Sequence, residues 1–302
     1  MLSNVTVYCF LASYVIVLIC ELVRWLKRSS LNRVVIIGLG CAGLVAQTAY
    51  LWQRGLQTDL PPLMASSHDW LLVLSWTAIV LYLFVSLIDK SLAVGPFLLP
   101  LVIVLIIGAL LVSDQPQTIM FDDPDLSENV LKRWGMLHAT LLMFGAGGVM
   151  AGCILGLMYL VQHRRLKHKQ ILHEGLTLPS LAKLARWNWW AGAISFPLLT
   201  LGMLVGVGMG WYKQQGSQPV SFADPVIIGY GVVWIVMLVL FFLLVRTRHP
   251  GGRQVAWWTI WAFTFLLVTV LGLQILTKGV SSLNSWHAGR ADLSSHIVSR
   301  LS

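Results

Sequence analysis

Long apolar runs separated by short polar stretches dominate the chain. Eight of them, at about 5–23, 34–52, 70–88, 92–112, 137–161, 190–211, 226–246 and 256–277, are close to or above the roughly 20 residues that an α-helix needs to cross a bilayer core. The runs lack the polar alternate positions of a lumen-facing barrel strand. In hydrocarbon, every backbone N–H needs a partner inside its own segment, which an open chain achieves only as helix. The pattern therefore predicts an all-α fold, a polytopic integral membrane protein with about eight transmembrane helices. Residues 1–302 are expected to form a single transmembrane domain. The longest polar breaks are 113–134 and 162–188, and neither an internal repeat nor a low-complexity segment is visible.

Composition agrees with lipid as the solvent. Of 302 residues, 57% are hydrophobic and 11% charged, against about 25% charged in a soluble domain; mean hydropathy is +0.77. A net charge of +9 on a soluble protein would suggest nucleic acid as partner. Here the cations sit in alternate loops, so orientation in the bilayer explains them and no nucleic acid is implied. The breaks 24–33, 89–91, 162–188 and 246–254 hold 14 of the 21 Lys and Arg residues, whereas nine of the twelve acidic residues fall on the opposite side. The positive-inside rule then puts 162–188 in the cytoplasm and 113–134 outside. An even number of spans brings both termini to the outer face of a cell inner membrane. Met1 to Val7 carries no positive charge, and Arg24, Lys27 and Arg28 follow the first run. That order reads as a retained first helix with its N-terminus outside, not as a cleaved signal.

The spans carry little reactive chemistry. Cys9, Cys20, Cys41 and Cys153 lie in apolar runs without metal or CxxC spacing, and read as small packing residues. Apart from Glu21 and Arg246 at inner ends, no Asp, Glu, Lys or Arg lies within the spans, and Asp89 stands just past another inner end. This argues against an ion-coupled transporter, whose coupling ion needs a ligand; a small-molecule transporter is the weakest of the readings considered. No catalytic residue stands out, and the reading leans away from an enzyme. Histidines remain. His163, His168, His173 and His249 map to inner loops, and His68, His138, His287 and His296 to the outer face. His138 opens the fifth span and His287 follows the eighth. A histidine pair can hold a haem iron axially, although two interfacial imidazoles are more simply solvated or hydrogen-bonded polar groups. On a helix, His138, Gly145, Gly152 and Gly156 share a face within about 40°. Gly148, Gly152 and Gly156 form one small-residue stripe, and Gly202, Gly206 and Gly210 another. Such stripes usually let helices approach closely; the alternative is a side-chain-free wall for a flat cofactor. Trp134, Trp211 and Trp286 at outer ends, and Trp187, Trp189 and Trp190 at an inner one, read as an aromatic belt. Trp134 and Trp286 are alternatively a shelf beside the two histidines.

Five segments carry a family resemblance in order: HDWLLVLSW with LAVGPFLLPL, WGMLHATLLMFG leading to LGLMYLVQHRRLK, LPSLAKL with FPLLTLGMLVGVGMGW, RTRHPGGRQVAWWTIWAF, and LNSWH. Over about residues 60–287 the chain resembles the cytochrome c assembly family of the CcsA/CcmC kind, especially its HemX-like branch. The resemblance implies haem as cofactor, held at the outer face between two histidines that match His138 and His287, which would bind the haem iron. It implies as partners haem, a second membrane subunit and an apocytochrome c. A tryptophan-rich loop of that family corresponds to QQGSQPVSFADPV, where only Asp224 and Pro225 match. A third family histidine falls near Arg246, three residues before His249. The HemX-like branch is similarly reduced, and implies a second reading, a membrane scaffold or regulator linked to haem biosynthesis.

Overall fold

The structure is a computed structural model that describes residues 6–27, 33–58, 61–88, 94–112, 128–167, 178–214, 225–246 and 251–272. The described residues are helical, with no strand among them. In chain order the helices are α1 (Val7–Lys27), α2 (Arg33–Thr58), α3 (Pro62–Ala65), α4 (Ser67–Ile88), α5 (Gly95–Leu111), α6 (Glu128–Lys167), α7 (Leu181–Gln214), α8 (Pro225–Arg246) and α9 (Gly252–Gly272). Six are long and apolar enough to cross a membrane, and α5 and the Gly231–Leu243 stretch of α8 are shorter apolar helices. Each of the eight expected spans has its helix, and the four-residue α3 is an addition outside them. The protein is an all-α polytopic membrane protein.

The helix boundaries depart from the apolar runs where polar residues find partners. α6 is 40 residues long, well beyond the expected 137–161, and ends on Arg164, Arg165 and Lys167. Those cations complement the partial negative charge of the helix C-terminus. α4 begins at Ser67, so Asp69 lies in its first turn. Ser66, in extended backbone, accepts from the Asp69 N–H (3.1 Å) and donates to Asp69 Oδ2 (2.9 Å), a reciprocal cap of the new helix. Arg54 of α2 then grips both carboxylate oxygens at 3.1 Å each. The pair explains how a wholly buried carboxylate is tolerated so near an apolar span.

Packing is arranged around small residues. Leu39 of α2 accepts from Ser13 at 2.8 Å, and buried Gln47 ties three helices together. It accepts from Tyr14 at 2.8 Å and donates to Leu72 O and Ser75 Oγ at 2.9 and 2.7 Å. Glu21, expected at the inner end of the first span, is buried there between Arg24 (2.7 Å) and the Tyr82 hydroxyl (2.9 Å).

α6 and α7 form the most extensive pairing, an antiparallel one. Along it, Leu142 faces Gly202, Gly145 faces Leu199, Gly148 faces Ser195 and Gly152 faces Asn188. α9 runs antiparallel to α6 on another side, with Gly156 against Ala256 and Gly252 against Tyr159, and reaches α5 through Gly108 and Leu271. The glycines of α6 are thus filled by Leu199, Ser195, Asn188 and Thr259. They serve helix packing, and the wall for a flat cofactor is not built there. α8 joins α7 through a Phe196–Phe241 stack at 4.9 Å between ring centroids, leaving Ile228, Val232, Ile235, Val239 and Phe242 exposed as a lipid-facing stripe.

Candidate functional site

His138 sits nearly three turns into α6, at the end of the bundle opposite Arg164, Arg165 and Lys167. Its ring lies on α7. Nδ1 is 2.7 Å from the Gly202 carbonyl oxygen. A Cβ placed on Gly206 would come within 2.7 Å of His138 Cε1 and 2.9 Å of Nδ1. Any side chain at 206 would therefore displace the imidazole. Gly206 leaves the space that the ring occupies, while Gly202, one turn earlier, supplies the carbonyl and makes room for Leu142; this pairs the histidine of one sequence motif with the glycine stripe of another.

The contact fixes the ring's chemistry. A carbonyl oxygen only accepts, so Nδ1 carries the hydrogen and the neutral ring keeps its lone pair on Nε2. Among the described residues Nε2 has no hydrogen-bond partner. A histidine whose other nitrogen donates to a backbone carbonyl is the usual arrangement of a metal-ligating imidazole, held in tautomer and orientation by that bond. The ring is half-buried, and Trp134, one turn nearer the helix end, is half exposed. His138 is thus a residue of the kind that would hold a haem iron. His287 and Trp286 lie outside the described residues, as do the loop 215–224 and His249, so the structure brings together only the His138 half of the expected pair. No group of three or more His, Cys, Asp or Glu side chains positioned for a metal occurs among the described residues.

The other outer histidine in the described residues is different. His68 is buried, with Nδ1 2.8 Å from Ala109 O and Nε2 3.4 Å from the Tyr50 hydroxyl. Both nitrogens are engaged and the ring links α2, α4 and α5, a structural role that its outer-face position alone did not reveal. His163 stacks on Tyr159 at 6.1 Å, near the basic end. Trp187, Trp190 and Trp211 are exposed near the ends of α7, as an aromatic belt requires. Two groups escaped the sequence reading. The Arg54–Asp69 pair had a signal, the SSHD string with capping-box spacing. Asn188, fully enclosed in α7, had only its position inside an otherwise apolar and aromatic stretch.

Comparison with known proteins gives a consistent answer. The family described as "Cytochrome C assembly protein" matches residues 64–281, which include every helix from α4 to α9. A cytochrome c biogenesis protein CcsA from Trieres chinensis is 26% identical over 250 residues, 72% of this chain and 77% of the relative. A CcsA from Chlorella vulgaris is 24% identical over 310 aligned positions, covering 89% and 93%. Protein HemX from Brevibacillus brevis is 29% identical over 143 residues, 47% of this chain and 51% of the relative. No solved structure matches significantly. The family match spans well over half the chain and contains both His138 and the glycines that seat it, so the chain belongs to the cytochrome c assembly protein family.

Proposed function

We propose that the protein handles haem at the outer face of the cell inner membrane during cytochrome c biogenesis, with His138 and His287 as the two axial ligands. The observation that carries this reading is the seat of His138, whose Nδ1 is committed to Gly202 O at 2.7 Å while Nε2 keeps a free lone pair. Haem supplies the redox-active iron; the protein sets its ligation, exposure and surroundings. Gly202 orients the imidazole, Gly206 makes room for it, and α6 presents it toward the end of the bundle opposite Arg164, Arg165 and Lys167. The relatives named for cytochrome c biogenesis support haem and an apocytochrome c as partners; a second membrane subunit rests on the family resemblance alone.

The test is the visible spectrum of the detergent-purified protein with and without added haem. Wild type takes up haem as a six-coordinate low-spin species under reducing conditions. His138→Ala loses that spectrum and added imidazole partly restores it; His287→Ala behaves alike, and His163→Ala does not matter. Absent uptake by wild type, or equal binding by both outer variants, removes the site. A second reading then takes over, a scaffold or regulator of the HemX kind linked to haem biosynthesis. It is favoured by the HemX relative and by the lack of tryptophan in QQGSQPVSFADPV.

A further inference from the structure

Lys183, Arg186, Trp187, Trp190, Ile194 and Leu201 lie on one side of α7. At 100° per residue they fall within an arc of about 100°, and all six are exposed. Their order along the axis is cation, cation, indole, indole, then aliphatic side chains. Trp190 is propped by Trp189, whose ring meets it edge-on at 5.1 Å between centroids. From Trp190 to Leu201 is eleven residues, about 16 Å along the helix. That is close to half of a hydrocarbon core of about 30 Å. With the aliphatic part of this face in one leaflet, the two cations stand at the depth of the headgroups.

The cations sit where the helix itself disfavours them. Lys183 is in the first turn of α7 and Arg186 in the second, against the partial positive charge of a helix N-terminus. No acidic residue stands in that first turn, and among the described residues neither cation takes part in an ion pair. Arg164, Arg165 and Lys167 differ, because they end α6 and meet the negative end of its dipole. The start of α7 therefore calls for an anion, and the apolar continuation of the same face calls for a ligand with a long hydrocarbon part. We propose that this face of α7 binds an anionic phospholipid. Its phosphate lies between Lys183 and Arg186, its glycerol region at Trp187 and Trp190, and an acyl chain along Ile194 toward Leu201. The phosphate then offsets both cations and the helix end together. The site is separate from His138. Lys183 precedes Gly202 by nineteen residues, about 28 Å along the helix, and the inference stands whether or not haem binds.

The test is native mass spectrometry of the detergent-purified full chain, titrated with dioleoylphosphatidylglycerol or, separately, with dioleoylphosphatidylcholine. A cation at a lipid surface is worth about a factor of five in binding. Wild type should retain one phosphatidylglycerol at a concentration about tenfold or more below that needed for phosphatidylcholine. Lys183→Gln/Arg186→Gln removes this preference, and Lys183→Arg keeps it. Arg164→Gln/Lys167→Gln takes the same charge from the end of α6 and also keeps it. Trp190→Ala weakens retention of phosphatidylglycerol with both cations in place. The proposal is overturned by any of four results: no preference in wild type, a preference that survives Lys183→Gln/Arg186→Gln, an equal loss in the two double variants, or unchanged retention in Trp190→Ala. Displacement of the lipid by inorganic phosphate would mark a site for a free anion and overturns the lipid assignment as well.

Discussion

His138 shows how much a single backbone carbonyl decides. Bonded to Gly202 O, the imidazole keeps one tautomer and one orientation; outer-shell partners of this kind are typically worth about 10–100-fold in metal affinity. Gly206→Ala puts a methyl where the ring lies, so haem affinity should fall by at least about tenfold while the protein stays monodisperse. Gly208→Ala is the control, because nothing lies within 4 Å of its added carbon; equal haem titration curves for the two variants would refute this seat for the ring. Polar residues elsewhere act on stability. Removing Arg54 leaves Asp69 buried and unpaired, so Arg54→Ala should destabilise by about 3–5 kcal/mol. Thermal unfolding in nanodiscs measures it, and an unchanged midpoint would mean that the Arg54–Asp69 pair does not hold α4 to α2 as described.

At the scale of helices, the same residue type has opposite consequences in different settings. A Cβ on Gly156 would lie 2.8 Å from the Ala256 carbonyl oxygen. That is a backbone atom, so α6 and α9 have to separate. Gly156→Leu should cost about 1–3 kcal/mol, the usual range for overpacking, and broaden the size-exclusion profile. Gly38 of α2 faces open space, and Gly38→Leu should express and elute as wild type does. Equal behaviour of the two variants would mean that α9 does not pack on α6 as described. α7 combines a glycine stripe with an internal proline, Pro197, which removes one backbone hydrogen bond. Ser195, one residue after Ile194 in the same turn, donates to Ala191 O, a back-bond that bends helices.

On the scale of the whole molecule, charge is segregated along the helix axes. The basic C-terminal turns of α6 and the cations at the start of α7 mark one end, and His138 lies toward the other. If the loop charges set orientation, the His138 end faces outward. In a background without native cysteines, an introduced cysteine at Asp123 should react with an impermeant reagent in intact cells, and one at Lys169 should not. The reverse labelling would turn the molecule over and move the histidine site to the cytoplasmic face.

Hydropathy alone determined the fold class and where the eight apolar helices lie, because the cost of unpaired backbone in hydrocarbon leaves helix as the solution for every long apolar run. His138 and both glycine stripes were also visible as candidates, since helical periodicity places residues on faces without knowledge of neighbours. Which face meets which neighbour is a property of interhelical register, and only the tertiary structure decided it. It paired His138 with Gly202 and Gly206, filled the α6 stripe with Leu199, Ser195, Asn188 and Thr259, and buried His68 against Ala109 and Tyr50. It likewise drew Asp69 into α4 through Arg54. Hydrogen bonds between residues 15 to 64 positions apart have no local pattern to announce them, because the partner's direction is set by packing rather than by the chain on either side.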